Sequence, residues 1–260
     1  MDYKQIAKKL GAIGLALIFW QIAAMQIQLD ILLVTPLDVA KRLAVIWQEE
    51  GFWGSVCFTF FHIVGGFFGG VLTGFLFAIL SHKWELVEIL LWPWMIVVKS
   101  VPVASFVLIC YIWMSAQNLS IFISFLIVLP VVYHNVLTGL RQNNQKMEEM
   151  AKIFEFTWYQ KVKAITLPKV RPYFLSACSV TAGMAWKAGV AAEIIGTPNG
   201  SIGQKLYLAK VWLDTDGMLA WTVVLVVISV LFEKLFMAVL RKALGAPKEN
   251  LVTRKEKKKK

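Results

Sequence analysis

Charged side chains are scarce in this chain. Only 17% of its 260 residues are Asp, Glu, Lys or Arg, whereas 58% are hydrophobic. Soluble domains carry about a quarter charged residues, so this composition excludes an ordinary soluble protein. The cysteines Cys57, Cys110 and Cys178 lie within apolar segments, which indicates neither a disulfide framework nor a metal site. His62 and His134 also lack companions at metal-ligand spacing, which favours hydrogen-bonded packing histidines.

Long apolar runs take the place of the missing polar surface. They are close to 20 residues long and lack strand alternation, and backbone groups within a bilayer must be hydrogen-bonded internally. The sequence therefore predicts an all-α, polytopic membrane protein. Six spans are expected, at residues 10–27, 55–80, 86–114, 119–140, 173–195 and 219–240.

Two of these runs leave alternatives open. The third is too long for one straight helix, and Pro93 and Pro102 each disfavour helix, so a break into two shorter helices is expected. A count of five or seven segments is the alternative. The first run could be mistaken for a cleaved signal peptide because Ala23 and Ala24 lie near its end, but a retained anchor is the preferred interpretation.

The formal charge of +11 has two interpretations. One is nucleic-acid binding, but the Lys and Arg residues lie mostly between apolar runs or at the chain end. With the amino terminus inside, twenty of them are cytoplasmic and four lie outside, as the positive-inside rule requires. We therefore expect a multi-pass protein of the cell inner or plasma membrane, with both termini cytoplasmic and no nucleic-acid partner.

The fourth and fifth spans are joined by a polar loop, 141–171. Its residues 145–154 are expected to form a short helix with Met147, Met150, Ala151 and Phe154 along one face. Apolar anchors within a charged rim are typical of a docking surface.

A second short helix is expected after this one. Thr157 and Gln160 match a capping box, so the helix would begin near Trp158. It would end near Thr166, because Pro168 disfavours helix at the residue before it. The loop is thus predicted to be a helix, turn, helix hairpin.

The spacing within this loop resembles a known signature. Glu149-Met150-Ala151, then Glu155, then Ile165-Thr166-Leu167-Pro168 is similar to E-A-A-x-x-x-G-x9-I-x-L-P, which marks the coupling helix in membrane subunits of binding-protein-dependent ABC importers. Met150 replaces the second residue and Glu155 the glycine. A glycine there adopts a left-handed conformation, so Glu155 costs roughly 1 kcal/mol if that geometry is kept.

The resemblance continues outside the loop and narrows to the nitrate, sulfonate and taurine type of permease. It is carried by Thr35–Val39, with Thr35 as helix cap before Pro36, by Lys99–Pro102, by Trp186–Glu193 and by Gly200–Gly203.

In that family two permease copies form the pathway, separate ABC subunits bind ATP and Mg, and an extracytoplasmic binding protein delivers substrate. The resemblance thus implies a non-enzymatic transport subunit with no cofactor of its own. Its coupling residues would be Glu149, Met150, Ala151, Phe154, Glu155, Ile165, Leu167 and Pro168.

Some charged residues lie within or at the ends of predicted spans. Lys99, Lys187 and Glu193 are candidate pathway residues, because an unpaired charge in a membrane usually faces protein or water. A structural ion pair between Glu193 and one lysine is the alternative.

Small residues mark two of the predicted spans. The second span carries Gly65, Gly66, Gly69, Gly70 and Gly74, and the fifth is rich in Ala, Gly and Ser. Such residues allow helices to approach closely, so the fifth span should lie in the protein interior.

The sequence favours one domain over 1–245, with the basic tail 246–260 attracted to membrane lipid. As function we predict an ABC importer permease for a small organic anion. The alternatives are an ion-gradient carrier, a permease for a thiamine-precursor pyrimidine and a structural scaffold.

Overall fold

Helices account for the regular structure throughout the described chain. The computed structural model describes residues 3–27, 33–142 and 145–245, and within these ranges it contains no strand. The predicted all-α class is confirmed. The helices are α1 (Tyr3–Ile27), α2 (Pro36–Ile46), α3 (Phe52–Lys83), α4 (Glu85–Ser100), α5 (Val103–Trp113), α6 (Ala116–Arg141), α7 (Gln145–Ile153), α8 (Trp158–Lys161), α9 (Leu167–Gly196), α10 (Ile202–Val211) and α11 (Thr215–Ala243), and a π-helical turn, Val162–Thr166, joins α8 to α9.

A helix covers each of the six predicted spans, but the helices differ in their fitness to cross a bilayer. Helices α3, α6 and α11 are long and apolar enough to do so, and α4 with α5 qualifies as one broken span. In α1 the apolar stretch is only Gly11–Ile27. Helix α9 has the length, but its many small residues and Lys187 dilute its apolar content.

The third predicted span is broken, as expected. The chain leaves helix at Val101 and Pro102, and the axes of α4 and α5 differ by 111°. Pro93 does not contribute to the break, since α4 continues through it. Helices in membranes tolerate proline where neighbouring groups satisfy the freed backbone carbonyl.

The chain divides into two compact units. The first contains the described residues up to His62, Val107–Ser120 and Val190–Ile228. In it, Thr35 caps α2 by accepting a hydrogen bond from the Asp38 amide at 3.2 Å, and Pro36 occupies the first turn, as predicted. The Lys41 ammonium and the Thr35 hydroxyl bind the Asp38 carboxylate and lower its pKa.

The second unit contains the described residues of Ile63–Phe106 and Ile121–Gly189, and residues 229–245. Here α3 packs on α6 along a seam of glycines. A β-carbon on Gly70 would lie 2.8 Å from the Phe125 carbonyl oxygen, and one on Gly74 2.7 Å from that of Leu129. The predicted close approach is confirmed, because only glycine lets the two backbones come this near.

Small residues also define α9. Its buried positions include Ala177, Cys178, Ala182, Ala185, Ala188 and Ala192, each at most 5% exposed. The predicted interior position of this span is confirmed.

Candidate functional site

The loop between α6 and α9 contains the predicted hairpin. Its first arm is α7, which ends in two hydrogen bonds: the Phe156 amide donates to the Ala151 carbonyl at 2.9 Å and the Glu155 amide to that of Lys152 at 3.2 Å. This pair of bonds defines a Schellman motif, which requires a left-handed residue between helix and exit. The helix therefore has a defined end and leads directly into a tight turn.

Glu155 occupies the left-handed position. Its φ is +47°, so the turn geometry that glycine usually provides is kept with a side chain in place. The steric cost of this conformation is of order 1 kcal/mol. The Glu155 side chain is exposed.

The second arm begins at the capping box predicted from the sequence. The Thr157 hydroxyl accepts from the Gln160 amide at 3.4 Å, and the Gln160 side chain accepts from the Thr157 amide at 2.8 Å. Both bonds of the motif are present, so this prediction is confirmed.

The predicted end of the second arm is wrong. Helix α8 does not stop before Pro168 but passes through the π-helical turn Val162–Thr166 and continues as α9. In this turn the Leu167 amide donates to the Val162 carbonyl, five residues back. A π turn shifts the hydrogen-bond register by one residue, which relieves the clash that a proline ring makes with the carbonyl four residues earlier. The hairpin arm and the fifth predicted span are thus one helical path.

The predicted coupling residues fall into inward and outward groups. Ala151 and Ile165 are each 6% exposed, and Met150 is half-buried. The outward group, all exposed, comprises Glu149, Phe154, Glu155, Leu167 and Pro168.

The apolar docking face differs from the predicted one. Met147, Met150 and Ala151 turn toward the protein, whereas Phe154 is 69% exposed. Around the turn, Phe154 is joined by other large apolar side chains that are between 65% and 79% exposed. We call this set the hairpin tip; it consists of Ile153, Phe154, Trp158 and Tyr159.

Sequence reasoning missed three members of the tip, Ile153, Trp158 and Tyr159. The available signal was the cluster of four aromatic residues between 154 and 159, which is unusual in a polar loop. A helical wheel of α7 alone does not show this aromatic cluster, because the tip combines the end of one helix with the start of the next.

A cleft of about 390 Å³ lies at the base of the hairpin. Ile165 and Pro168 of the signature line it, and the Tyr173 hydroxyl donates to the Gln142 side chain at 2.7 Å. The inward signature residues thus shape how the hairpin joins α9.

The three candidate pathway charges have different surroundings. Lys99, in the last turn of α4, and Lys187, on α9, are exposed. Glu193 is fully buried, and within the described residues it forms no ion pair with either lysine. The ion-pair alternative is therefore not found in the described part of the chain.

Hydroxyl and backbone groups hold the Glu193 carboxylate instead. Its Oε2 atom accepts from the Thr59 hydroxyl at 2.8 Å and from the Gly203 amide at 3.2 Å. Ser120, also fully buried, lies close to the same carboxylate, but neither its Oγ atom nor Oε1 of Glu193 forms a hydrogen bond within the described residues. We call Glu193, Thr59, Ser120 and Gly203 the Glu193 cluster.

Another charged pair inside an apolar span was missed in the sequence. Glu233 and Lys234 lie in α11, and the Ser179 hydroxyl of α9 donates to Glu233 at 3.4 Å. Their signal was two adjacent charges in the middle of the sixth predicted span.

No group of three or more metal-ligating side chains occurs among the described residues. One ring nitrogen of His62, Nδ1, lies 2.8 Å from the Phe58 carbonyl oxygen, and the imidazole stacks on the Phe58 ring. This is the packing role expected for it.

Known membrane transport proteins are similar to this chain over most of its length. Residues 70–245 match the family model described as "Binding-protein-dependent transport system inner membrane component". The chain is 24% identical to the putative aliphatic sulfonates transport permease protein SsuC of Bacillus subtilis (strain 168), covering 82% of this chain and 77% of the relative.

Two further relatives extend this picture. Identity is 25% to the taurine transport system permease protein TauC of Escherichia coli (strain K12), over 88% of this chain and 86% of TauC. It is 23% to the formylaminopyrimidine transport permease protein ThiX of Halalkalibacterium halodurans, over 71% and 74% respectively.

Proposed function

This chain belongs to the binding-protein-dependent transport system inner membrane component family, and we propose that its hairpin couples a substrate pathway to a separate ATP-binding subunit. It is an ABC transporter permease and a multi-pass membrane protein. The observation that carries the proposal is the hairpin tip, an exposed apolar cluster on a stiff turn.

The tip has the properties that a docking element needs. Four large apolar side chains would be costly to leave in water, and exposed aromatic clusters of this kind mark contact sites. The Schellman turn and the capping box restrict the conformation of the two arms, so a movement of the tip would be transmitted to the helices. The tip therefore suits a groove on an ATP-binding subunit, with Glu149 and Glu155 on its charged rim.

The other partners follow from the family. ATP and Mg would be bound by the ATP-binding subunits, a second permease copy would complete the pathway, and an extracytoplasmic binding protein would deliver substrate. This arrangement requires the hairpin and both termini to be cytoplasmic, which the distribution of Lys and Arg supports.

As substrate we favour a small organic anion such as a sulfonate or taurine, which the names of SsuC and TauC support. The exposed lysines Lys99 and Lys187 would attract its anionic group. A thiamine-precursor pyrimidine is the second candidate, favoured by the similarity to ThiX.

The test is reconstitution of the permease with its ATP-binding subunit and binding protein in liposomes. We expect the ATP-binding subunit to co-purify, and uptake of a labelled sulfonate or taurine to require ATP hydrolysis. Replacing Glu149 with Lys should reduce uptake while the protein still inserts, because the change reverses a charge on the exposed rim of the hairpin.

For an ion-gradient-driven carrier, the expected energy requirement of uptake is the opposite. Uptake that continues with a disabled ATP-binding subunit and disappears when the ion gradient is collapsed would replace the importer assignment. A scaffold would show no uptake under either condition.

A further inference from the structure

The start of α10 forms hydrogen bonds with side chains of two other helices in addition to its own cap. Ser201 caps α10 locally, accepting from the Gln204 amide at 2.9 Å. Beyond this cap, the Ile202 amide donates to the Thr59 hydroxyl of α3 at 3.0 Å, and the Gly203 amide donates to Glu193 of α9. Two of the amides that a helix start leaves unpaired are therefore satisfied from outside the helix.

Thr59 and Glu193 act as one unit in this arrangement. The Thr59 hydroxyl accepts from Ile202 and donates to Glu193, so it links α10 to α3 and α9 through a single oxygen. Thr59, Glu193 and Ile202 are all fully buried. Inside a protein, hydrogen bonds to a carboxylate are strong and losing one is costly.

The packing at Gly203 brings α10 into close contact with α9. A β-carbon added there would collide with the Glu193 side chain and lie 2.7 Å from its carbonyl carbon. The backbone of α10 thus contacts the backbone of α9 directly. Glu193 and Gly203 are complementary in shape as well as in hydrogen bonding.

We infer that Glu193 is a positioning residue that, through Thr59, holds the start of α10 against α3 and α9, and that import requires α10 to stay fastened there. The second part rests on the proposed function. This role differs from a pathway contact, because the carboxylate is enclosed by Thr59, Ser120 and the α10 backbone instead of facing open space. The exposed Lys187 remains the better candidate for contact with substrate.

The first arm of the test measures attachment of α10 without substrate or ATP. The exposed Cys57 is replaced by Ser, and a single reporter cysteine is introduced by Ala209→Cys on the buried face of α10, where the native residue is 8% exposed. Reaction of this thiol with a maleimide then reports release of α10.

Thr59→Val removes both hydrogen bonds while keeping the side-chain shape. We expect it to raise the labelling rate of the reporter about 10-fold, the size that loss of a buried hydrogen bond predicts. Thr59→Ser restores the hydroxyl and should return the rate to near that of the parent protein. The matched control is Thr73→Val on the same helix, since the bonds that the Thr73 hydroxyl makes to described residues stay within α3, to the Gly69 carbonyl at 2.8 Å and the Gly70 carbonyl at 3.5 Å.

A second reporter separates local release from general loosening. Ala220→Cys lies on α11 and is fully buried, so its labelling should not change with Thr59→Val. Equal labelling in the Thr59→Val and Thr59→Ser proteins, or an equal rise at both reporters, would overturn the inference.

The second arm measures ATP-driven uptake by the same variants. We expect Thr59→Val to lower uptake about 10-fold, with Thr59→Ser recovering it and Thr73→Val showing parent behaviour. Released α10 with unchanged uptake would refute the requirement for import. If even the parent protein shows no ATP-driven uptake, the proposed function fails, whereas the labelling arm still decides whether the hydrogen bonds of Thr59 to Ile202 and Glu193 hold α10.

Discussion

The hairpin tip and the Glu193 cluster depart from the usual distribution of apolar and charged residues in opposite ways. The tip exposes Phe154 and Trp158 to solvent, whereas the cluster encloses a carboxylate with no exposed surface. Large apolar groups normally favour burial, and charged groups are almost never fully buried unless paired. In the cluster, Thr59 and Gly203 donate hydrogen bonds to one oxygen of the carboxylate. For the tip, the partner that we propose is an ATP-binding subunit.

The difference shows how to distinguish residues that bind a partner subunit from residues that stabilise the fold. Substitutions in the cluster should destabilise the folded protein before any partner is added. Substitutions at the tip should leave stability alone and weaken assembly.

The largest effect is expected in the cluster. Gly203→Ala should lower the free energy of unfolding by about 3 kcal/mol, because the new methyl group meets backbone that has no room to shift. Thermal unfolding of the purified protein in detergent measures this loss. The control is Gly54→Ala in α3, where a β-carbon meets nothing within 4 Å and the protein should gain stability. Similar effects at the two glycines would contradict the packing described for α10.

At the tip the expected loss is in binding. Phe154→Ala or Trp158→Ala should each weaken binding of the ATP-binding subunit by about 2 kcal/mol, roughly 30-fold, as for other aromatic anchors. Titration of the permease with the ATP-binding subunit gives this value. The unfolding temperature should not change.

An exposed apolar residue elsewhere provides the control for the tip. Leu235→Ala removes a side chain of α11 that is 66% exposed, and it should leave affinity for the ATP-binding subunit unaltered. Equal losses at Leu235 and Phe154 would mean that exposure alone does not identify the docking surface.

Local features of the chain could be predicted from the sequence, but the contacts of the Glu193 cluster could not. Caps at Thr35 and Thr157 and the break at Pro102 were foreseeable, because each depends on residues at most a few positions apart. The partners of Glu193 were not, since Thr59 lies 134 residues away in the chain.

The hairpin shows where local rules fail. The proline rule predicted that the second arm ends before Pro168, but a π turn carries the helix past it. Helical periodicity grouped Phe154 with Met147, although the end of α7 at Ile153 frees it from that face. Both errors arise at a junction between elements, where the regular α-helical repeat no longer applies.

The next smaller effect tests the second arm of the hairpin. Thr157→Ala removes the side-chain cap of α8 and should destabilise the hairpin by about 1 kcal/mol. Hydrogen exchange of the Gln160 amide, which donates to the Thr157 hydroxyl, reports this change. Thr157→Ser keeps the cap and serves as the matched variant, so equal exchange in the two proteins would contradict the capping role.

The smallest expected effect is a gain in the stability of the turn at Glu155. Glu155→Gly relieves the left-handed strain, but glycine also loses more backbone freedom on folding, so the net stabilisation of the turn should be only about 0.5 kcal/mol. The Phe156 amide, which donates across the turn to the Ala151 carbonyl, should then exchange roughly twofold more slowly, because 1.4 kcal/mol corresponds to a factor of ten. Lys152→Gly, three residues earlier and inside α7, should have the opposite effect, since glycine destabilises a helix interior. Faster exchange in Glu155→Gly would show that the Glu155 side chain stabilises the turn by more than its backbone strain costs.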